Sequence, residues 1–194
     1  MRSLFLPPAE VGPDRLAGFD LVYLSGITLA ILAPAARRAL AAFLETFRAA
    51  GGRVAFDSNY RPRLWPDPAT ARGEIDAFWA LTDIGLPSLD DEIALYGDAG
   101  EAAVIARLAA AGVGRGALKR GAAGPLALGA AGALPTFPPA PRVVDTTAAG
   151  DSFNGGYLGA LMRGLPEADC LAAGHALAAE VVTHPGAIMP KAAR

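Results

Sequence analysis

Residues 145–157 read DTTAAGDSFNGGY, two acids flanking a run of small and hydroxylated residues, with an apolar pattern behind them. Val143-Val144 ahead of the string reads as a strand, and Phe153, Tyr157, Leu158 and Leu161 behind it fall on one face of a helix. The string is therefore a strand-to-helix turn. Ala148, Ala149 and Gly150 lack bulk, so their backbone N–H groups can approach a ligand closely. At a helix start those N–H groups and the helix dipole face the same point, which makes an anion hole suited to a phosphoryl group in transfer. Asp151 lies in the first turn, where the dipole favours the carboxylate; it is expected to stay ionised and ready to accept a proton. A lone Gly-Asp pair would be an ordinary helix cap; the whole string argues for chemistry.

Working outward, the chain alternates strands and helices. Strands are expected at Asp20–Ser25, Arg53–Asp57, Thr82–Leu86 and Gly116–Lys119, with two short ones near Leu126–Leu128 and Ala133–Phe137. Helices are expected from Pro34 to about Ala50, over Ala69–Leu81, from Ser88 through Tyr96, over Ala99–Ala111, and near Gly150–Arg163 and Pro166–Val182. Such alternation implies an α/β fold with a mostly parallel sheet covered by helices. Ligands in these sheets bind at the carboxyl ends of the strands. Ser25, Asp57–Arg61, Ser88–Asp91, Lys119–Gly124 and Asp145–Asp151 all follow strands there. One domain over residues 1–194 is the simplest reading.

Composition narrows the function classes. Of 194 residues, 53% are hydrophobic and 19% charged, the balance of a globular chain, and the net charge of −2 with no basic run argues against a nucleic-acid partner. The mean hydropathy is positive. However, the longest charge-free stretch, Gly121–Pro141, holds four Gly and five Pro, which no lipid-exposed helix would tolerate. The start, MRSLFLPPAE, has no apolar core of a signal peptide, so a cytoplasmic protein without membrane partners is expected. The single cysteine, Cys170, reads as a small core residue.

The string DTTAAGD resembles the DTxGAGD signature of the ribokinase-like (PfkB-type) carbohydrate kinases, with Ala148 where that family usually has Gly. LVYLSGITLAIL at 21–32, DSNYRPRLW at 57–65 and the closing HPGAIMP at 184–190 extend the likeness, which is greatest to the 2-keto-3-deoxygluconate kinases. The resemblance implies a ribokinase-like, Rossmann-type three-layer fold and ATP-dependent phosphorylation of a sugar acid on its terminal hydroxyl. It implies Asp151 as the catalytic base and Ala148, Ala149 and Gly150 as the anion hole. It implies that Lys119, Gly121 and Gly124 of KRGAAG meet the nucleotide, joined by Asn59 and by His184 near the adenine. Arg61 is then expected to bind the sugar acid, and Asp91 or Glu92 to organise Mg²⁺ through water without a direct protein ligand. His175 is expected to be a packed helix residue, Trp65 a core anchor and Arg63 a solvated one.

Members of that family carry further strands, a sugar site and a β-lid ahead of the LSGITLAIL segment, and residues 1–19 match none of these. Weak sugar binding and exposed strand edges are the expected consequences, with a homo-oligomer as one way to cover them. The alternatives are a nucleotide-binding remnant without turnover, an interaction subunit, and a kinase for another sugar or nucleoside.

Overall fold

The computed structural model describes residues 18–130 and 132–189. Residues 1–17, which include the start MRSLFLPPAE read above for a signal peptide, lie outside them, as does Pro190 of HPGAIMP.

Strand β1 (Leu21–Ser25) lies parallel to β2 (Arg53–Asp57), with Leu21 opposite Arg53 and Ser25 opposite Asp57. On the far side of β2 lies β3 (Ile84–Gly85), also parallel. Parallel bridges Gly85–Gly116 and Ser88–Lys119 carry the sheet on to β4 (Ala117–Leu118), which pairs antiparallel with β5 (Leu126–Ala127). Among the described residues nothing pairs with the outer edge of β1.

Alternation along the strands sorts the core into two layers. Leu24, Val54 and Phe56 face one side, where they meet helices α2 (Pro34–Ala49), α3 (Pro68–Trp79), α4 (Leu89–Tyr96) and α5 (Glu101–Ala110). The edge of Trp79 packs on Phe56, with ring centroids 4.8 Å apart and planes at 75°. Ala55, Ile84, Leu86 and Ala117 face the other side, under α6 (Ala149–Leu161) and α7 (Glu167–Val181). Helix, sheet and helix form the expected three layers.

Local sequence explains the helix ends. Pro34 and Pro68 stand in first turns, where their missing N–H costs nothing. Asp67 caps α3 by accepting the Thr70 N–H at 2.8 Å. Gly97, at φ 74°, ends α4.

Two expectations are corrected. Ala133–Phe137 and Val143-Val144 are not strands. Residues 132–144 form an irregular strap in which Pro135, Pro138, Pro139 and Pro141 have no N–H to give a ladder. The Val144 N–H is spent on the Val182 carbonyl at the end of α7, at 2.8 Å. A short helix, α1 (Gly26–Ile31), also precedes α2 where no element was expected.

Helices α6 and α7 pack backbone to backbone: a Cβ added at Gly156 would lie 2.6 Å from the Ala173 carbonyl oxygen. Gly156→Val is therefore expected to cost about 1–3 kcal/mol in urea unfolding. Gly155→Ala, where a Cβ meets nothing within 4 Å, is expected to leave stability unchanged or raise it.

Candidate active site

The face of the sheet beneath α6 ends in polar residues. Asp57 is the last residue of β2 and continues the parity of Ala55; Lys119 follows β4 with the parity of Ala117. Both are buried. The Lys119 ammonium donates to Asp57 Oδ2 at 2.6 Å and to Asn154 Oδ1 at 3.1 Å. Asn154, itself buried on α6, donates through Nδ2 to Asp57 Oδ2 at 2.7 Å and to the Tyr23 hydroxyl at 3.0 Å. Its amide is thereby fixed in orientation. Burial, with the Asp57 charge adding to it, pushes the Tyr23 phenol well above its usual range.

Asp57 also shapes the loop behind it. Its Oδ1 accepts the Asn59 N–H at 3.1 Å, and Asn59 takes a left-handed backbone, φ 34°. Next along the loop, Arg61 bonds the Asp91 carboxylate at 3.2 Å and the Tyr60 carbonyl at 2.8 Å. Glu92, one residue on from Asp91, is fully buried and bonds Arg107 at 2.6 Å. Burial raises the Glu92 carboxyl, against the pull of Ser58 and Arg107. Burial also raises Asp91, against the pull of Arg61. Of the two acids read as alternatives for a hydrated ion, Asp91 therefore stands nearer the surface. Among the described residues no group of three or more His, Cys, Asp or Glu is placed to cage a metal.

Above the network, the turn before α6 is tight. Ala148 is left-handed, φ 62° and ψ 11°. The Ala149 N–H bonds Thr146 O at 3.1 Å and the Ser152 N–H bonds Ala148 O at 2.8 Å. The N–H groups of Gly150 and Asp151 between them have no acceptor among the described residues. Asp145 anchors the turn, accepting the Thr147 and Gly186 N–H groups at 2.8 Å each. Donors on Thr147, then the Gly186 N–H, hold its carboxyl below the usual carboxylate range.

Lys119, Gly121, Gly124, Ala149 and Gly150 surround one cavity of about 410 Å³. Arg120 steadies its floor by donating to the carbonyls of Ala123 and Gly124, both at 2.9 Å. Gly124 has φ 75°, and a Cβ there would lie 2.6 Å from Phe137 Cβ, so glycine alone fits under the strap. His175 lines the same cavity. Its ring meets Phe137 at 5.3 Å, and Nε2 lies 2.7 Å from the Pro138 carbonyl oxygen. His184 lies elsewhere, with Nδ1 3.0 Å from Thr183 Oγ1 beyond the end of α7. Asp151 is exposed on the first turn of α6. Asn59, Arg61 and Asp91 form a separate group beside the Asp57 end of the network.

Sequence reasoning placed Asp57 at the ligand end of its strand but gave no role to Asp57, Asn154 or Tyr23. The signal for Asn154 was present: a polar residue inside an otherwise apolar helix stripe, three positions after Asp151. Trp65 is buried with the Arg37 guanidinium 5.4 Å from its ring centre, a core anchor as read, and Arg63 is exposed.

The sequence profile of the pfkB family of carbohydrate kinases matches residues 8–194. The chain belongs to this family. This pfkB chain is 44% identical over 184 residues to the 2-dehydro-3-deoxygluconokinase of Escherichia coli K12, covering 93% of the chain and 60% of that relative. A PfkB protein from Polaromonas sp. JS666 superposes with a TM-score of 0.78 at 27% identity, over 92% of this chain and 58% of that one. The aminoimidazole riboside kinase of Salmonella enterica, solved with aminoimidazole riboside and an ATP analog, superposes with a TM-score of 0.74 at 33% identity, over 86% and 57%. The chain thus spans about 60% of the length of the curated relative it matches. The ribokinase-like α/β fold read from the string at 145–157 is borne out. No helix among the described residues is long and apolar enough to cross a membrane.

Two outcomes follow for the turn. An L-residue at φ 62° carries strain that glycine lacks, so Ala148→Gly is expected to stabilise the chain by about 1 kcal/mol in denaturant unfolding. A carboxyl whose folded pKa is depressed stabilises above its unfolded value and loses that contribution as pH falls through the folded one. Hydrogen exchange at Thr147 and Gly186 should therefore speed up as pH falls below the usual carboxylate range, beyond the intrinsic pH trend. In Asp145→Asn that added dependence should vanish.

Proposed function

We propose that this chain is the nucleotide-binding and catalytic part of a kinase that moves the terminal phosphoryl group of ATP to a hydroxyl of a sugar acid, 2-keto-3-deoxygluconate. One observation carries the reading: Asp151 stands at a helix start whose Gly150 and Asp151 N–H groups are unclaimed, beside a cavity lined by Lys119, Gly121, Gly124, Ala149 and Gly150. The 2-dehydro-3-deoxygluconokinase of Escherichia coli, 44% identical, supports the choice of acceptor.

In this reading the acceptor oxygen forms a bond to the γ-phosphorus as the bond from that phosphorus to the β,γ-bridging oxygen breaks. The leaving oxygen keeps the electron pair and departs as ADP. The acceptor proton passes to the Asp151 carboxylate, so the products are ADP and a phosphate ester. Charge on the phosphoryl oxygens is met by the N–H groups of Gly150 and Asp151 and by the dipole of α6. Gly121 and Gly124 leave the cavity floor without side chains, where a nucleotide can lie against backbone. Arg61 supplies a planar donor pair for the sugar-acid carboxylate, in exchange for its contact with Asp91. Mg²⁺ neutralises phosphate charge in such transfers. With no protein cage among the described residues, it would be held by phosphate oxygens and water, with Asp91 the less buried of the two acids read for it and Asp90 the acid that lines the cavity.

A coupled assay for ADP release over a panel of sugars and sugar acids tests this. The wild type should turn over with 2-keto-3-deoxygluconate, and Asp151→Asn should be slower by about 100-fold or more. Full rate in Asp151→Asn would sink the base assignment. ATP binding without sugar-dependent turnover would mark the chain as a nucleotide-binding part only.

A further inference from the structure

We infer that the Lys119 ammonium binds the phosphoryl group in transfer, and that Asp57 and Asn154 are the positioning residues that aim it. The inference rests on the kinase reading above and assigns a role at its reacting centre. An ammonium has three N–H donors. Asp57 Oδ2 takes one at 2.6 Å and Asn154 Oδ1 a second at 3.1 Å. The third has no acceptor among the described residues. The two acceptors come from different elements, β2 and α6, so they fix the ammonium in direction as well as place. The side chain is 9% exposed, and Lys119 is among the residues that line the cavity. A Cβ added at Gly150 would lie 3.5 Å from Nζ, so the ammonium stands against the residue whose N–H is unclaimed.

One phosphoryl oxygen is therefore within reach of both donors. Asp57 balances the Lys119 charge while the cavity is empty of phosphate, which keeps a buried cation affordable in the folded state. Lysine suits the place better than arginine. Its compact tetrahedral donor set serves Asp57, Asn154 and a third oxygen at once, which a planar guanidinium does not.

The test is calorimetric titration with ATP and with AMP, alongside turnover. Lys119→Met alone would strand the buried Asp57 charge, so the variant is Lys119→Met/Asp57→Asn, which stays charge-balanced. The expected result is ATP affinity reduced about tenfold with AMP affinity unchanged, and kcat reduced about 100-fold with KM for the sugar acid held. Asn154→Ala keeps both charges while removing the amide that accepts from Lys119 and donates to Asp57 and Tyr23. It is expected to lower kcat about tenfold while leaving AMP affinity alone, and it keeps the question open to test if the double variant does not fold. Equal losses of ATP and AMP affinity would overturn the inference in favour of a structural ion pair, as would no loss in either. A wild type that binds no ATP overturns the kinase reading itself, whereas a wild type that binds ATP beside unaffected variants overturns only the role of Lys119.

Discussion

The Lys119–Asp57 ion pair sets the terms for everything around it. Two opposite charges buried at the strand ends are costly to desolvate, and they persist in folded proteins only with close geometry and further hydrogen bonds. Here the contact is 2.6 Å, and Asn154 bonds both partners. That requirement ties together β2, the segment after β4 and helix α6, elements far apart in sequence. Strand alternation brings the two charges to the same face. The register of α6 brings Asn154 over them, and with it Gly150 and Asp151 one turn earlier. The chemistry of the turn is positioned by a buried polar contact that belongs to the core.

Small residues make that positioning sharp. The closeness of α6 to α7 through Gly156 and Gly174 leaves little room for the helix to shift, since added Cβ atoms would meet backbone oxygen at 2.6 Å and 2.9 Å. Interiors packed this closely transmit displacement instead of absorbing it. The opposite wall of the cavity is built differently. The strap at 132–144 has no ladder and is held by Phe137 over Gly124, by His175 on the Pro138 carbonyl, and by Val144 on Val182. One wall is a rigid helix start; the other is a proline-rich cover hung on a few side-chain and backbone contacts.

The layered fold was legible because its signals are local. Apolar runs such as RVAFD and the i, i+3, i+4 pattern behind Pro34 reflect what each strand and helix buries. The helix start at Ala149 was legible because an apolar stripe follows the small residues, whereas the strand expected ahead of the turn is not formed. The strap was misread because Ala133–Phe137 carries apolar residues of strand type, and the competing effect, four missing N–H groups nearby, acts through the ladder and not through hydrophobicity. The network was missed for a different reason. Asp57, Lys119 and Asn154 are separated by 62 and 35 positions, so only the folded register shows that they meet. His175 is the packed helix residue expected, and the strap it packs against also brings it to the cavity, a contact its flanking sequence does not encode.

Ala148 has a consequence for how this sequence can drift. The turn into α6 holds that position at φ 62°, in the small left-handed region that β-branched side chains almost never occupy. Substitutions there pass through a conformational filter before any test of chemistry. Glycine enters freely, and asparagine and aspartate enter at modest cost. Valine, isoleucine and threonine are turned away by the backbone angle alone. Alanine is the largest aliphatic residue the filter admits at tolerable strain. The variation open to this site is thus set by a single backbone angle, and mutational neighbours of Ala148 that look conservative by volume or polarity are distant by geometry.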